Sequence, residues 1–166
     1  MRKVLFIFGQ LTDGDVEWLA KHGRRRRVAR STVLIHQGVP VDTLYIVLDG
    51  ELSVLQGARE REIARLGAGE IAGEMSFVDA RTPSATVTAR VDSVVYAIPR
   101  RTIGDELEKN HAFAARFYKA VATFLSDRVR KATDPDHDDE LDDSVLDNVD
   151  RAGARFNMLS RQVQDG

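Results

Sequence analysis

The residues best suited to chemistry lie between Gly67 and Ala89, in the stretch GAGEIAGEMSFVDARTPSATVTA. Gly67, Gly69 and Gly73 read as sharp turns leading to Glu74, since glycine adopts φ angles closed to other residues. Glu74-Met75-Ser76-Phe77 then carries a carboxylate beside a run of backbone N–H groups, and the start of such a helical turn concentrates positive partial charge. This reads as a cradle for an anion. Pro83-Ser84-Ala85-Thr86 follows, small and rich in hydroxyls, and leads into the alternating stretch Thr86-Val87-Thr88-Ala89. The same residues also suit an ordinary surface loop between two strands, so spacing alone leaves both readings open.

Other chemistry has fewer carriers. His22, His36, His111 and His137 are scattered, with no pair at a spacing that ligates a metal, and cysteine is absent, so no metal site is expected. The acidic run from Asp134 to Asp143 has neither the glycine nor the closing glutamate of a calcium loop. No serine, histidine and acid fall into a catalytic arrangement, and the expectation is that the chain is not an enzyme.

The elements that must position the glycine-rich stretch are sheet before it and helix after it. At 166 residues, 43% hydrophobic and 30% charged, the chain is read as one domain with an appendage, long enough to close a core without staples. The apolar run to Phe8 is too short for a signal peptide or a membrane span and reads as a packed arm, with a cytoplasmic setting expected. Thr12 caps a helix from about Asp13 to His22, with Val16, Leu19 and Ala20 on one face and Gly23 past its end.

From Arg24 onward the period changes to that of strands: Arg26–Val28, Val33–Ile35, Leu44–Leu48, Leu52–Leu55 and Ile63–Leu66, resuming at Ser84–Arg90 and Ser93–Ile98. Asp49-Gly50 between two apolar runs predicts a hairpin. Short antiparallel strands so spaced close into a barrel or roll. The net charge of −2 attracts no nucleic acid overall, and the block Arg24 to Arg27, lying on a strand, sends alternate side chains to opposite faces. The acidic run is expected to fold back toward that block.

The helical part starts near Arg100 and continues after Asn110, where Phe113, Phe117, Val121, Phe124, Leu125 and Val129 form one stripe. That stripe predicts either packing on the domain's own sheet or, the reading favoured here, a homodimer through the helix from Ala112 to Val129. Ser144 with Asp147 opens a last amphipathic helix bearing Leu146, Val149, Phe156, Leu159 and Val163, a candidate surface for a protein partner.

Gln37-Gly38, Asp42-Thr43-Leu44-Tyr45-Ile46-Val47, Asp49-Gly50-Glu51-Leu52, Leu66-Gly67-Ala68-Gly69-Glu70 and Gly73-Glu74-Met75 together resemble the cyclic nucleotide-binding domain family, with the glycines in that family's order and spacing. The resemblance implies a mainly β fold with flanking helices: an eight-stranded antiparallel β-roll, or double-stranded β-helix, with a short N-terminal helix and a long C-terminal helix. It places that domain at residues 1–133, with an acidic linker at 134–143 and the C-terminal amphipathic helix at 144–166. The pattern looks like stand-alone bacterial members, since catabolite activator-like regulators follow the long helix with a DNA reader for which no room is expected here.

The resemblance also implies a site. Glu74 matches the glutamate that accepts from the ribose 2′-hydroxyl, and Ser84 and Ala85 match the small residues that approach the cyclic phosphate. The implied ligand-binding set is Gly73, Glu74, Met75, Ser76, Arg81, Pro83, Ser84, Ala85, Thr86 and Thr133. Where the family places an arginine before the two small residues, this chain has Pro83, so cyclic AMP or cyclic GMP is expected to bind weakly. Arg81 is either a solvated surface arginine or a displaced replacement. Three functions remain at this point: a sensor of a cyclic nucleotide or related anion that signals through the long helix, a degenerate fold that binds proteins without nucleotide, and an enzyme of a related roll.

Overall fold

The alternating apolar runs fold into two four-stranded antiparallel sheets in this computed structural model, which describes residues 5–135 and 143–162. The strands are β1 (Arg24–Val28), β2 (Val33–Ile35), β3 (Thr43–Asp49), β4 (Leu52–Gln56), β5 (Arg61–Leu66), β6 (Ile71–Ala72), β7 (Thr86–Ala89) and β8 (Ser93–Pro99). One sheet runs β1-β8-β3-β6 and the other β2-β7-β4-β5. The helices are α1 (Leu5–Phe8), α2 (Asp13–His22), α3 (Arg100–Lys109), α4 (His111–Thr133) and α5 (Asp143–Gln162). Eight antiparallel strands, a short helix before them and a long helix after them make this the expected β-roll.

Asp49-Gly50 does not make the predicted hairpin, because β3 pairs with β6 and β8 while β4 pairs with β5 and β7. The turn passes the chain from one sheet to the other, and Gly50 lies against Ser93 so closely that a Cβ would meet its Oγ. Turn chemistry sets the local reversal, whereas partner choice follows burial: β3 is buried over Leu44–Val47 and needs neighbours on both edges. Strand β6 is too short for its two residues to show any alternation.

β1 is the edge of its sheet, and Arg24 to Arg27 are all exposed while only Val28 turns inward. The acidic run expected to approach them falls largely outside the described residues.

The helices pack as their apolar stripes require. Thr12 Oγ1 accepts from Asp15 N–H at 3.2 Å and Asp15 accepts from Thr12 N–H at 2.8 Å, a reciprocal cap that starts α2 where the sequence placed it. Asp15 also takes both prongs of Arg116, at 2.6 and 2.8 Å, which pins α2 to α4. Ile7 and Phe8 of the arm are buried.

Phe113, Phe117 and Phe124, the motive for a dimer seam, are buried inside this chain. Phe113 meets Trp18 of α2 at a tilt with ring centroids 5.6 Å apart, and Phe117 meets Phe77 edge-on at 5.3 Å. On the described part of α5, Ala152 and Leu159 are fully buried, Phe156 packs against Phe8, and Arg155 ties Asp13 and the Phe8 carbonyl, while the side chains of Leu146, Val149 and Val163 lie outside the described residues.

Candidate functional site

Between β6 and β7 the chain leaves the sheet and wraps one mouth of the roll. Gly73 has φ 93°, and an added Cβ would lie 2.7 Å from the Thr43 carbonyl oxygen, so both the dihedral and the space require glycine. Gly69 also has a positive φ of 87°, but Gly67 has not, and the expectation of a left-handed turn there is corrected. Glu74–Phe77 form one 3-10 turn, and Ser76 Oγ donates to the Gly73 carbonyl at 2.8 Å. Arg100 of α3 donates to the Ser76 carbonyl at 2.7 Å and lies over the Phe77 ring, so the turn is held from α3 and from α4 together.

A cavity of about 210 Å³ lies beneath this loop. Its floor is apolar, made by Ile35, Val41, Val54, Leu66, Ala72 and Val87 of the roll. Its rim is Gly73, Glu74, Met75 and Ser76 on one side and Arg81, Thr82, Pro83, Ser84 and Ala85 on the other. Thr86 stands outside the lining, its hydroxyl accepting from Gln37 N–H at 3.1 Å. Thr133 is also outside, at the exposed end of α4, donating to the Val129 and Arg130 carbonyls. The Pro83 carbonyl accepts from Gly38 N–H at 2.9 Å, which docks the loop on the β2–β3 connection.

The charges are unevenly set. Arg81 is 88% exposed and engages Asp79 at 3.7 Å across the surface. Glu74 is buried, 2% exposed, and its carboxylate accepts from Arg128 Nη1 at 3.2 Å. Burial pushes the Glu74 carboxyl above the ordinary carboxylate range, with Arg128 and the residue's own backbone N–H opposing that rise. Arg128 comes from α4, lines the cavity and lies 4.7 Å from the Phe124 ring centroid. The 3-10 turn is four residues long, too short for the aligned dipoles of a true helix, and its first side chain is a carboxylate. The cations among the described residues lining the cavity are Arg81 and Arg128.

Arg128 is the residue that sequence reasoning missed. It continues the buried stripe of Phe117, Val121 and Phe124 by one more helical step of four, and a cation at that step is the signal. Val129, placed on the stripe instead, is 62% exposed. Among the described residues no group of three or more His, Asp or Glu side chains is placed to hold a metal.

Comparison with known proteins gives the same reading. The model of the cyclic nucleotide-binding domain matches residues 25–110. An uncharacterised NTE family protein of Mycobacterium bovis is 30% identical over 119 residues, 72% of this chain and 20% of that protein. The cyclic AMP receptor protein of Thermus thermophilus is 31% identical over 97 residues, 57% of this chain and 45% of the relative. The chain thus spans less than half of either. Among solved structures, a cyclic nucleotide-binding domain from Methylobacillus flagellatus superposes with a TM-score of 0.71 at 23% identity, covering 86% of this chain and 85% of that one. Thermus thermophilus catabolite activator protein gives 0.63 at 27%, over 77% of this chain and 60% of that one. With the roll, the loop over its mouth and the buried glutamate already in place, these matches show that the chain belongs to the cyclic nucleotide-binding domain family.

Proposed function

We propose that this chain is a regulatory sensor module that takes a cyclic nucleotide in the cavity under residues 73–86 and signals through α4. The observation that carries the reading is that one cavity is walled both by the loop holding Glu74 and by α4 through Arg128. A ligand entering there touches the reporting helix directly. Glu74 suits a ribose hydroxyl, because an ionised carboxylate is an acceptor only. The remaining floor is apolar and suits a base. Pro83 contributes neither charge nor donor at the rim, so affinity for cyclic AMP or cyclic GMP is set at tens of micromolar or weaker, on the order of 6 kcal/mol. No catalytic role belongs to this reading, and the module is placed in the cytoplasm. No helix among the described residues is long and apolar enough to cross a membrane.

A second reading has its own support. Glu74 is already partnered by Arg128, which is how a fold that has given up its ligand would neutralise a buried carboxylate. The domain would then serve as a protein-binding module. Calorimetric titration with cyclic AMP and cyclic GMP decides between the two: saturable one-site binding supports the sensor, and no heat up to millimolar ligand supports the interaction module.

Self-association through α4 is part of the proposal, by a different face from the phenylalanines. Tyr118 and Val129 are exposed, Ala122 is exposed and Leu125 half-buried, and these four fall at alternating spacings of four and three. A second copy of the helix would close that seam.

A further inference from the structure

We propose that Arg128 is the anion-binding residue of the cavity, exchanging Glu74 for the phosphate of the ligand and so drawing α4 onto it. This rests on the sensor reading above and adds to it the residue that meets the charge. Among the described residues lining the cavity, the cations are Arg81 and Arg128. The Arg81 side chain is 88% exposed, and a charge so placed is screened by water and held by Asp79. Arg128 is 29% exposed, stands beside an apolar floor and is steadied over Phe124. A charge-assisted hydrogen bond is stronger in that setting than at the surface.

The exchange leaves no group stranded. Glu74 loses a guanidinium and gains the hydroxyl donor of a ribose, while Arg128 loses a carboxylate and gains a phosphate oxygen, which it can meet with two N–H groups. At 3.2 Å from Glu74 through a single nitrogen, the present pair leaves the rest of the guanidinium fork to be used. Because Arg128 is built into α4, any shift of its side chain toward the Pro83–Ala85 side of the cavity pulls on the helix carrying the proposed seam. A neutral ligand that satisfied Glu74 alone would lack this pull.

The test compares cyclic AMP with adenosine, which keeps the base and the 2′-hydroxyl but has no phosphate, by calorimetry on the full chain. Arg128→Gln should weaken cyclic AMP by about ten- to a hundredfold and change adenosine by less than about threefold. Arg128→Lys should recover part of the loss, and Arg81→Gln, at the exposed rim, should weaken cyclic AMP less than Arg128→Gln does. Because Arg128→Gln leaves Glu74 buried without a cation, the double variant Glu74→Gln with Arg128→Gln is measured beside it and should also fail to prefer cyclic AMP over adenosine. Equal losses for both ligands, or a loss that follows Arg81, would overturn the assignment while leaving the sensor reading intact. Wild-type protein that binds neither ligand would overturn both.

Discussion

Replacing Arg128 by Gln should destabilise the fold far more than replacing Glu74 by Gln, although both changes break one ion pair. The asymmetry comes from burial. The Glu74 side chain is 3% exposed and that of Arg128 29%. With Glu74→Gln the freed guanidinium can turn to water and the desolvated carboxylate is gone, so the change should stay within about 1 kcal/mol of zero. With Arg128→Gln the carboxylate stays buried and must remain ionised at several kcal/mol or take up a proton. The proton sets the ceiling: for a carboxyl whose ordinary value is 4.5, protonation at pH 7 costs about 3.4 kcal/mol, and at pH 5 about 0.7 kcal/mol. The sign is consistent with a raised folded value, since stability from such a group is present below 4.5 and lost as pH rises through the folded value. Losing Arg128 extends that loss into the neutral range. Urea unfolding of the wild type, both single variants and the double at about pH 7 and about pH 5 reads these differences, with the double resembling Glu74→Gln. A Glu74→Gln deficit as large as that of Arg128→Gln, or an Arg128→Gln deficit unchanged by acid, would refute the reasoning.

Gly73→Ala should cost more than about 2 kcal/mol in thermal melts, combining left-handed strain with contact on Thr43, whereas Gly38→Ala, at φ 79° with open space around it, should cost only the strain of about 1–2 kcal/mol. Burial raises the Asp15 carboxyl, but hydrogen bonds from Arg116 and Thr12 outweigh it and hold the group below 3.8. Its contribution is therefore present above that value and lost as pH falls through the folded value, so Asp15→Asn should flatten the acid limb of a stability–pH profile. Val129→Glu should give monomers in light scattering with the fold intact, while Phe124→Glu, at a site 1% exposed, should unfold the chain.

The roll was legible because its signals are local: strands announced themselves by alternation, and α2 by Thr12 and a stripe that ended at Gly23. Which strands pair was not legible. Asp49-Gly50 carries the chemistry of a turn, but its flanking strands go to different sheets because the core needs them there. The site divides similarly. Type and spacing at Gly73 and Glu74 suited a ligand cradle and an ordinary surface loop alike, and the family resemblance is what singled the two residues out. Arg128 could not be joined to them, as 54 residues separate it from Glu74 and only the packing of α4 brings the two together. The phenylalanines show the opposite error: a stripe of aromatics states that something covers it, and here the cover is the chain's own α2 and 3-10 turn.

Hydrogen exchange with and without saturating cyclic AMP tests most directly whether cavity and helix form one sensor. Protection should change in the loop around Glu74 and in the last turns of α4 around Arg128, where the two are joined, and should stay constant in β1, the edge strand of the β1-β8-β3-β6 sheet, which supplies no residue to the cavity lining. Calorimetrically verified binding that leaves α4 exchange unaltered would contradict the account.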